Sequence, residues 1–527
     1  MPIGSKDREE MAPIANRLDR VKGAAKADVT RKQIRGSSLL LAGKFLSVGI
    51  NFASQVLVVR YLSTTDYGAW VYALSMVALC QGFASLGLDR AITRFVPIYH
   101  EKHEYDKLFG TILLVFGSIL ITGVLVIASF YAFPAQIARL TNENQQPLVL
   151  LFIMIFLVPI EVVDGLLIGL FASFSSPRAI FFRKHVLGPG LKLLVILLLV
   201  LWRSDIAFLA YGYLIASVIG VLICFWVLVR LLRSQGLLRE LRFKDLKIPA
   251  REIFAFTIPM MTSDLLTVVM HSADALLLGY FKDMTEVALY RVVLPAAALN
   301  KIVMISFGLL YTPLAARLFA KGNYAGINDL YWRTAIWMTV LSFPVFALTF
   351  SMARPLTVFL YGPRYQQSSV ILAILSLGYY FSVALGFNGL TLKVLGKVRY
   401  VVIINVLALV ANLALNLLLI PAYGAVGAAI GTAGTMIVHN IFKQAGLRLA
   451  SGISLFDRSY FSFYVIIASC AIGLFFIQFL SSGSIYVAIA GVGFASLLVL
   501  ALTKKHLNVV ENFPELLKVP FIRLIFT

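Results

Sequence analysis

Charged side chains are scarce in this chain of 527 residues. Only 13% of the residues are Asp, Glu, Lys or Arg, whereas 60% are hydrophobic, a balance that is unusual for a soluble globular domain. Apolar runs of about 20 residues span a bilayer as helices, because a helix satisfies its own backbone hydrogen bonds in lipid. The composition therefore argues against a soluble domain and predicts an all-α polytopic membrane protein.

Cysteine and the common catalytic motifs are also lacking. The three cysteines, Cys80, Cys224 and Cys470, fall in different apolar runs, so we expect neither disulfides nor a metal site. The chain has no Gly-rich phosphate loop, and its predicted outer loops are too short for a catalytic domain. We therefore expect no cofactor and no enzymatic activity. No apolar stretch precedes Ser37, and the first span is expected to serve as an uncleaved insertion signal.

Fourteen apolar runs are long enough to cross a bilayer. They lie near residues 37–60, 68–89, 108–133, 147–173, 185–202, 207–230, 253–280, 288–316, 332–353, 367–390, 399–420, 423–447, 460–480 and 483–503.

Acidic residues are outnumbered by Lys and Arg, 25 to 46. If the N-terminus is cytoplasmic, 35 of the 46 basic residues, Arg183 included, fall outside the bilayer on the cytoplasmic side and five fall within spans, an asymmetry typical of the positive-inside rule. The distribution therefore predicts cytoplasmic termini and basic tails that meet anionic membrane lipids, with no role for nucleic acid. Only six basic residues fall in predicted outer segments: Arg60, Arg139, Arg203, Lys282, Arg354 and Arg364.

An internal repeat appears when the chain is shifted by 220 residues. The first span then aligns with the seventh without a gap, and each carries one polar stripe, because the matched positions fall within about 80° of a helix face. Such stripes should face protein or a water-filled cavity rather than lipid. The matched pairs are Lys44 with Asp264, Ser47 with Thr267, Asn51 with His271, Ser54 with Asp274, Asp66 with Glu286 and Trp70 with Tyr290.

A repeat of six spans predicts two six-helix lobes related by a pseudo-two-fold axis along the membrane normal, with two extra C-terminal helices and a cavity between the lobes. The predicted organisation is a basic cytoplasmic tail (1–36), an N-lobe (37–235), a cytoplasmic linker (236–252), a C-lobe (253–449), two further spans (458–503) and a cytoplasmic C-terminal tail (504–527).

Several charges fall inside predicted spans, where each costs roughly 2.5–3.5 kcal/mol on insertion scales. Asp274 lies one turn after His271, an arrangement suited to binding a proton or cation, although Asp274 could instead pair with a Lys or Arg. Glu161 and Asp164 lie three apart on one face; one of them could be protonated, or they could pair with Lys192 or Lys44. These alternatives stay open.

Two further sets of polar residues lie within single spans. Arg291 and Lys301 share a predicted face of the eighth span and, like Lys192, could hold a phosphate group. Asn412 and Asn416 lie on one stripe of the eleventh span, which we interpret as interhelical hydrogen bonding.

Several short motifs stand out along the chain. The longest is NLALNLLLIP at residues 412–421, followed by YGAVGAA at 423–429. Others are DYGAW at 66–70, GLDR at 87–90, SAD at 272–274, EVALY at 286–290 and LYGPRY at 360–365. This set resembles the motifs of the Wzx-like oligosaccharide flippases of the MATE-like MOP exporter superfamily, and NLALNLLLIP is the strongest match. The third residue of EVALY, Ala288, departs from the glycine usual in relatives. The resemblance covers spans one to twelve.

The resemblance implies a transporter that flips a polyprenyl-diphosphate-linked oligosaccharide across the bacterial inner membrane by alternating access, with a polysaccharide polymerase complex as a candidate partner. The substrate needs a polar cavity with cations and an opening to lipid. The candidate substrate-binding residues are Lys44, Asn51, Lys192, Arg291 and Lys301. The candidate ion-coupling residues are Glu161, Asp164, Asp264, His271 and Asp274.

The alternative within the superfamily is a cation-coupled multidrug exporter, whose site would depend on acidic residues. A membrane glycosyltransferase would need a large outer loop, which the predicted topology lacks. A scaffold without transport activity would leave the intramembrane charges without a purpose.

Overall fold

The computed structural model describes residues 36, 38–141, 145–174, 176–240, 246–453, 460–480 and 484–507. Most of the predicted N-terminal tail, residues 241–245 of the predicted linker and the C-terminal tail beyond residue 507 lie outside the described residues.

The described chain is helical throughout its regular elements. The helices are α1 Ser38–Tyr61, α2 Thr64–Ser85, α3 Leu88–Glu101, α4 Tyr105–Ala132, α5 Pro134–Leu140, α6 Gln145–Met154, α7 Leu157–Ser173, α8 Pro177–Leu201, α9 Ile206–Ser234, α10 Ala250–Phe281, α11 Met284–Ala320, α12 Tyr324–Ser351, α13 Ala353–Tyr361, α14 Ser368–Val394, α15 Val398–Ser451, α16 Phe461–Leu480, α17 Ile485–Leu502 and α18 Lys504–Leu507.

Twelve helices in the described ranges are long and apolar enough to cross a membrane, or thirteen if α6 and α7, which meet at a 41° bend, form one span. The chain is thus a multi-pass membrane protein. One of the twelve, α15, has 54 residues, roughly 80 Å at 1.5 Å per residue and far longer than a hydrocarbon core of about 30 Å. The number fourteen stays a prediction.

Helix α15 is a hairpin of two antiparallel arms. Pro421 removes a backbone donor near its middle, and Gly424 has φ 55° and ψ −134°, which is not helical. Beyond this kink the chain returns along itself, so that the Tyr400 hydroxyl donates to the carbonyl of Phe442. The Ala425 N–H, freed at the start of the second arm, donates to Glu286 Oε2 at 2.6 Å.

The 220-residue repeat is visible where its two copies turn. Helices α1 and α10 end at Tyr61 and Phe281, and the next helices begin at Thr64 and Met284. Both new helices are capped in the same way, because Ser63 Oγ accepts from the Asp66 N–H and Asp283 Oδ1 accepts from the Glu286 N–H. The local structure therefore follows the repeat at this point, while the symmetry of whole lobes stays a prediction.

Close packing divides the chain into two compact units. Of the described residues, unit 1 contains those in the ranges 1–55, 81–128 and 155–262, and unit 2 contains those in the ranges 56–80, 129–154 and 263–527. The core of unit 1 is formed by apolar side chains of α3, α4, α7 and α9, including Ile92 and Phe171, which are fully buried. The predicted lobe boundaries, which follow the sequence repeat, stay a prediction.

Unit 2 combines helix α2 with the second half of the chain. A Cβ atom on Gly68 would lie 1.7 Å from the carbonyl oxygen of Met284, and one on Gly279 would lie 2.3 Å from the ring of Tyr72. Only glycine permits backbones to approach this closely. Helix α2 therefore packs directly against α10 and the start of α11 within one unit.

Two arginines predicted to be outside the bilayer join the ends of helices in unit 2. Arg60 donates to the carbonyl groups of Phe359 and Leu360, and Arg364 donates to those of Val59 and Arg60. Each guanidinium therefore meets the C-terminal end of the other segment's helix, where unpaired carbonyls and the helix dipole favour a positive charge.

Candidate functional site

The most buried charge in unit 2 is the carboxylate of Asp274, which is 5% exposed. Its Oδ2 accepts from the Tyr290 hydroxyl at 2.5 Å and from Thr432 Oγ1 at 3.1 Å, and its Oδ1 accepts from Asn416 Nδ2 at 2.6 Å. Within the described part of the chain Asp274 has no ion-pair partner. Three neutral donors therefore hold the carboxylate, rather than the Lys or Arg that one sequence interpretation required.

The hairpin of α15 brings two of these donors together. Asn416 lies on its first arm and Thr432 on its second. The arms can approach because a Cβ atom on Gly431 would lie 2.6 Å from Asn416 Oδ1. Asn416 Nδ2 also contacts Asn412 Oδ1 at 3.3 Å, while Asn416 Oδ1 is buried with no hydrogen-bond partner among the described residues. The predicted interhelical role of Asn416 is observed, with Asp274 as its partner.

We call the space beside Asp274 the carboxylate cavity. It has a volume of about 280 Å³ and is lined by His271, Asp274, Tyr290, Arg291, Tyr379, Asn412, Thr432 and His439, together with apolar side chains. Arg291 donates to Ser75 Oγ at 2.6 Å and to the His271 carbonyl at 3.0 Å. The cavity thus holds a carboxylate, two imidazoles and a guanidinium.

A second polar cavity, the ion-pair cavity, lies in unit 1. It measures about 260 Å³ and is lined by Asn51, Glu161, Asp164, Arg183, Lys184, Lys192 and Ser217, with smaller residues. Lys192 Nζ lies 3.1 Å from Glu161 Oε1, which is one of the two pairings anticipated from sequence. Arg183 Nε lies 2.5 Å from Asp164 Oδ1. Both carboxylates predicted in this span are therefore ion-paired.

Arg183 does not lie in an inner loop as the charge pattern predicted. Helix α8 begins at Pro177, eight residues before the predicted span, and Arg183 lies in its π-helical segment Phe181–Leu187 with 6% of its surface exposed. A Cβ atom on Gly220 would lie 2.6 Å from the guanidinium. The charge pattern assigned Arg183 to a loop because it counts charge along the chain and does not register a carboxylate on a neighbouring helix.

A third cavity, the lysine cavity, has a volume of about 500 Å³ and lies in unit 2. Its polar lining consists of Lys301, Ser382, Asn388, Lys393, Asn405, His439, Asn440 and Lys443, and no Asp or Glu is among its lining residues. Lys301 Nζ lies 4.4 Å from the ring centroid of Tyr379, within cation–π distance. His439 lines both this cavity and the carboxylate cavity.

The remaining predicted site residues are distributed around these cavities. Asn51 lines the ion-pair cavity, while Lys44 is exposed and Asp264 is half-buried, and neither lines any of the three cavities. Between Arg291 and Lys301 the regular helical turn is interrupted, and 3₁₀ geometry follows at Leu299–Lys301. They line different cavities.

The sequence does not single out Tyr290, Thr432, Lys393 or Lys443 as site residues, although all four line or contact these sites. The positive-inside pattern assigned the two lysines to cytoplasmic loops. That assignment gave no reason to expect that they line one cavity. Tyr290 was visible as the repeat partner of Trp70, but its hydrogen bond to Asp274 depends on tertiary packing. In the described ranges no group of three or more His, Cys, Asp or Glu side chains is arranged to hold a metal ion.

Comparison with known proteins places this arrangement in a family. Residues 34–319 match the family model described as polysaccharide biosynthesis protein, and residues 259–418 match the MatE model. The lipid II flippase MurJ of Bacillus subtilis is 22% identical over 467 residues, covering 81% of this chain and 84% of that protein. The capsular polysaccharide biosynthesis protein CapF of Staphylococcus aureus is 22% identical over 404 residues, covering 75% and 94%.

A solved structure shows the same fold. The lipid II flippase MurJ in an inward closed conformation superposes with a TM-score of 0.69 at 15% identity, covering 89% of this chain and 99% of that one. The polysaccharide biosynthesis model alone spans more than half of the 527 residues. The chain is therefore a member of the polysaccharide biosynthesis protein family, within the MATE-like MOP superfamily.

Proposed function

We propose that this protein flips a polyprenyl-diphosphate-linked oligosaccharide across the bacterial inner membrane for polysaccharide biosynthesis, by alternating access. The observation that carries the proposal is the match of residues 34–319 to the polysaccharide biosynthesis family. The names of two relatives, a lipid II flippase and a capsular polysaccharide biosynthesis protein, point to the same class of substrate.

The cavities supply the chemistry that such a substrate needs. A diphosphate requires cations, and a sugar requires hydrogen-bonding groups inside a membrane that otherwise offers neither. We assign these roles first to Arg291 in the carboxylate cavity and Lys301 in the lysine cavity. Lys192 already meets Glu161, and it joins Lys44 and Asn51 as a further candidate substrate contact.

We assign ion coupling to Asp274, with His271 beside it in the carboxylate cavity. A buried carboxylate held only by neutral hydrogen bonds has no basic side chain to balance a negative charge, so binding of a proton or metal cation would neutralise it. The unpaired Asn416 Oδ1 nearby is a further oxygen that could face such a cation. Glu161, Asp164 and Asp264 are candidates for a second coupling group.

We further propose that the protein resides in the inner membrane with both termini cytoplasmic, that it works without catalysing a reaction, and that a polysaccharide polymerase complex receives its product. The charge asymmetry of the loops supports the orientation.

The direct test uses a host strain from which the gene is deleted. We expect polyprenyl-diphosphate-linked oligosaccharide to accumulate on the cytoplasmic face and surface polysaccharide to disappear, with both effects reversed by the wild-type gene and not by a Lys301→Ala variant. A deletion strain with unchanged surface polysaccharide and unchanged lipid intermediates would contradict the proposal.

The second candidate is a MATE-type multidrug exporter, which the match of residues 259–418 to the MatE model favours. In that case the deletion strain would gain sensitivity to cationic drugs and retain its polysaccharide. Drug susceptibility measured in the same strains therefore separates the two functions.

A further inference from the structure

We infer that the lysine cavity is a diphosphate-binding site in its own right, in which Lys393 and Lys443 act with Lys301. The inference rests on the proposed function, because that function supplies a lipid-linked diphosphate as the ligand. It concerns two residues that the charge pattern explains only as topology.

No acidic side chain in the lining of the lysine cavity balances its lysines. The cavity carries three lysines, and none of its lining residues is acidic. Within the described part of the chain neither Lys393 nor Lys443 has an ion-pair partner or a hydrogen-bond acceptor. Lys443 is half-buried and experiences the like charges of Lys393 and Lys301. Lys393 is exposed, but three like charges around one cavity repel one another, and an anion in the cavity would relieve the repulsion.

The neutral polar side chains of the cavity are hydrogen-bonded to one another. Asn388 Nδ2 donates to Asn440 Oδ1 at 3.2 Å, and Asn440 Nδ2 donates to Ser382 Oγ at 2.9 Å. His439 Nε2 and Asn405 Oδ1 lie 2.9 Å apart. These bonds fix the wall of the cavity, and the ammonium groups are its charged donors. An ammonium group is a suitable partner for phosphate oxygen.

Lys393 and Lys443 both lie near the ends of their helices. Lys393 lies two residues before the turn between α14 and α15, and Lys443 lies eight residues before the end of α15 at Ser451. Both ends belong to segments that the charge pattern predicts to be cytoplasmic. The cavity also adjoins the carboxylate cavity through His439 and Met436. A diphosphate entering from the cytoplasmic leaflet would meet the lysines first and Arg291 afterwards.

Binding to the purified full-length protein in an uncharged detergent tests this inference. The probes are farnesyl diphosphate, inorganic pyrophosphate and farnesol, and affinity is measured by microscale thermophoresis. Loss of one charge-assisted contact reduces affinity about tenfold. We therefore expect Lys393→Ala and Lys443→Ala each to weaken farnesyl diphosphate binding by about tenfold or more, Lys443→Arg to retain binding, and farnesol not to bind at the site.

Lys397→Ala is the matched control. Lys397 is exposed, lies four residues from Lys393 and does not line the cavity, so this variant should bind like the wild type. Wild-type affinity in a Lys393→Ala/Lys443→Ala double variant would overturn the inference, as would equal losses in Lys397→Ala. Size-exclusion profiles identify variants that fail to fold, and the Lys443→Arg result then decides the role of the charge.

The two diphosphate probes separate the sources of the ligand. Binding of farnesyl diphosphate at least about tenfold tighter than pyrophosphate supports a lipid-linked ligand, while equal affinities would indicate a soluble diphosphate and refute the lipid-linked assignment. The deletion strain separates this inference from the proposed function. If the wild-type gene restores surface polysaccharide and the double variant does so equally well, the cavity assignment alone fails; if the wild type does not restore it, the proposed function fails.

Discussion

Replacing Asp274 by Asn and by Ala should separate its charge from its hydrogen bonds. Asp274 accepts three bonds, from Tyr290, Asn416 and Thr432. An Asn side chain can keep its oxygen toward Asn416 Nδ2, and the two hydroxyl groups can rotate to accept from the new NH₂ group, because hydroxyls both donate and accept. Asp274→Asn therefore preserves the network and removes only the charge.

The expected magnitudes follow from this geometry. Hydrogen bonds to a charged group contribute roughly 1.5–3 kcal/mol and neutral ones about 1 kcal/mol, but Asn also avoids the desolvation of a buried charge, so its net effect on stability should be within about 1 kcal/mol. Ala leaves three donors without their acceptor. Tyr290 and Thr432 can still bond each other at 3.2 Å, so we expect Asp274→Ala to destabilise the fold by about 2–5 kcal/mol.

Transport should respond differently from stability. If Asp274 binds the coupling cation, Asp274→Asn should reduce restoration of surface polysaccharide in the deletion strain by at least about tenfold while its thermal unfolding temperature stays near that of the wild type. Unfolding of the purified variants and their abundance in the membrane provide the control. Full transport by a stably folded Asp274→Asn variant would refute the coupling role and leave Asp274 a structural group.

Two further predictions concern stability. Arg183→Ala should destabilise the protein by about 3–5 kcal/mol, because it leaves Asp164 partly buried without its partner, and the double variant Arg183→Met/Asp164→Leu should recover most of that loss in thermal unfolding. No recovery in the double variant would contradict this reasoning. Gly424→Ala should cost about 1–3 kcal/mol, because φ is positive there and a Cβ atom would lie 2.4 Å from Glu286 Oε2. Gly434→Ala, in the same helix with open space around its Cβ position, is the matched control and should change stability by less than about 1 kcal/mol.

The sequence predicted the helical segments well because hydrophobicity is a local property of the chain. Helix α1 ends at Tyr61 and helix α10 ends at Phe281. These positions are 220 residues apart, which is the shift of the internal repeat. Apolar runs, glycine and proline act on the backbone around them, so their consequences can be read without knowing the neighbouring helices.

The candidate site was only partly predictable. The polar stripe singled out Asp274 as a candidate, and the observed Glu161–Lys192 pair is one of the alternatives that the sequence left open. Arg183 was placed in a loop because a basic residue near a span end looks topological until the carboxylate opposite it is known. The same ambiguity concealed Lys393 and Lys443, whose shared cavity depends on the approach of α14 to the second arm of α15.

The sequence by itself determined that this protein crosses the membrane many times, that its first and seventh spans turn at equivalent positions, and that charged groups lie within its spans. Only the tertiary structure decided which groups meet. The partners of Asp274 come from residues 16, 142 and 158 positions away, and two of them face it because α15 reverses at Gly424. Burial in lipid makes a charge costly wherever it lies in the span, but the groups that stabilise it are selected by helix packing, which no local pattern encodes.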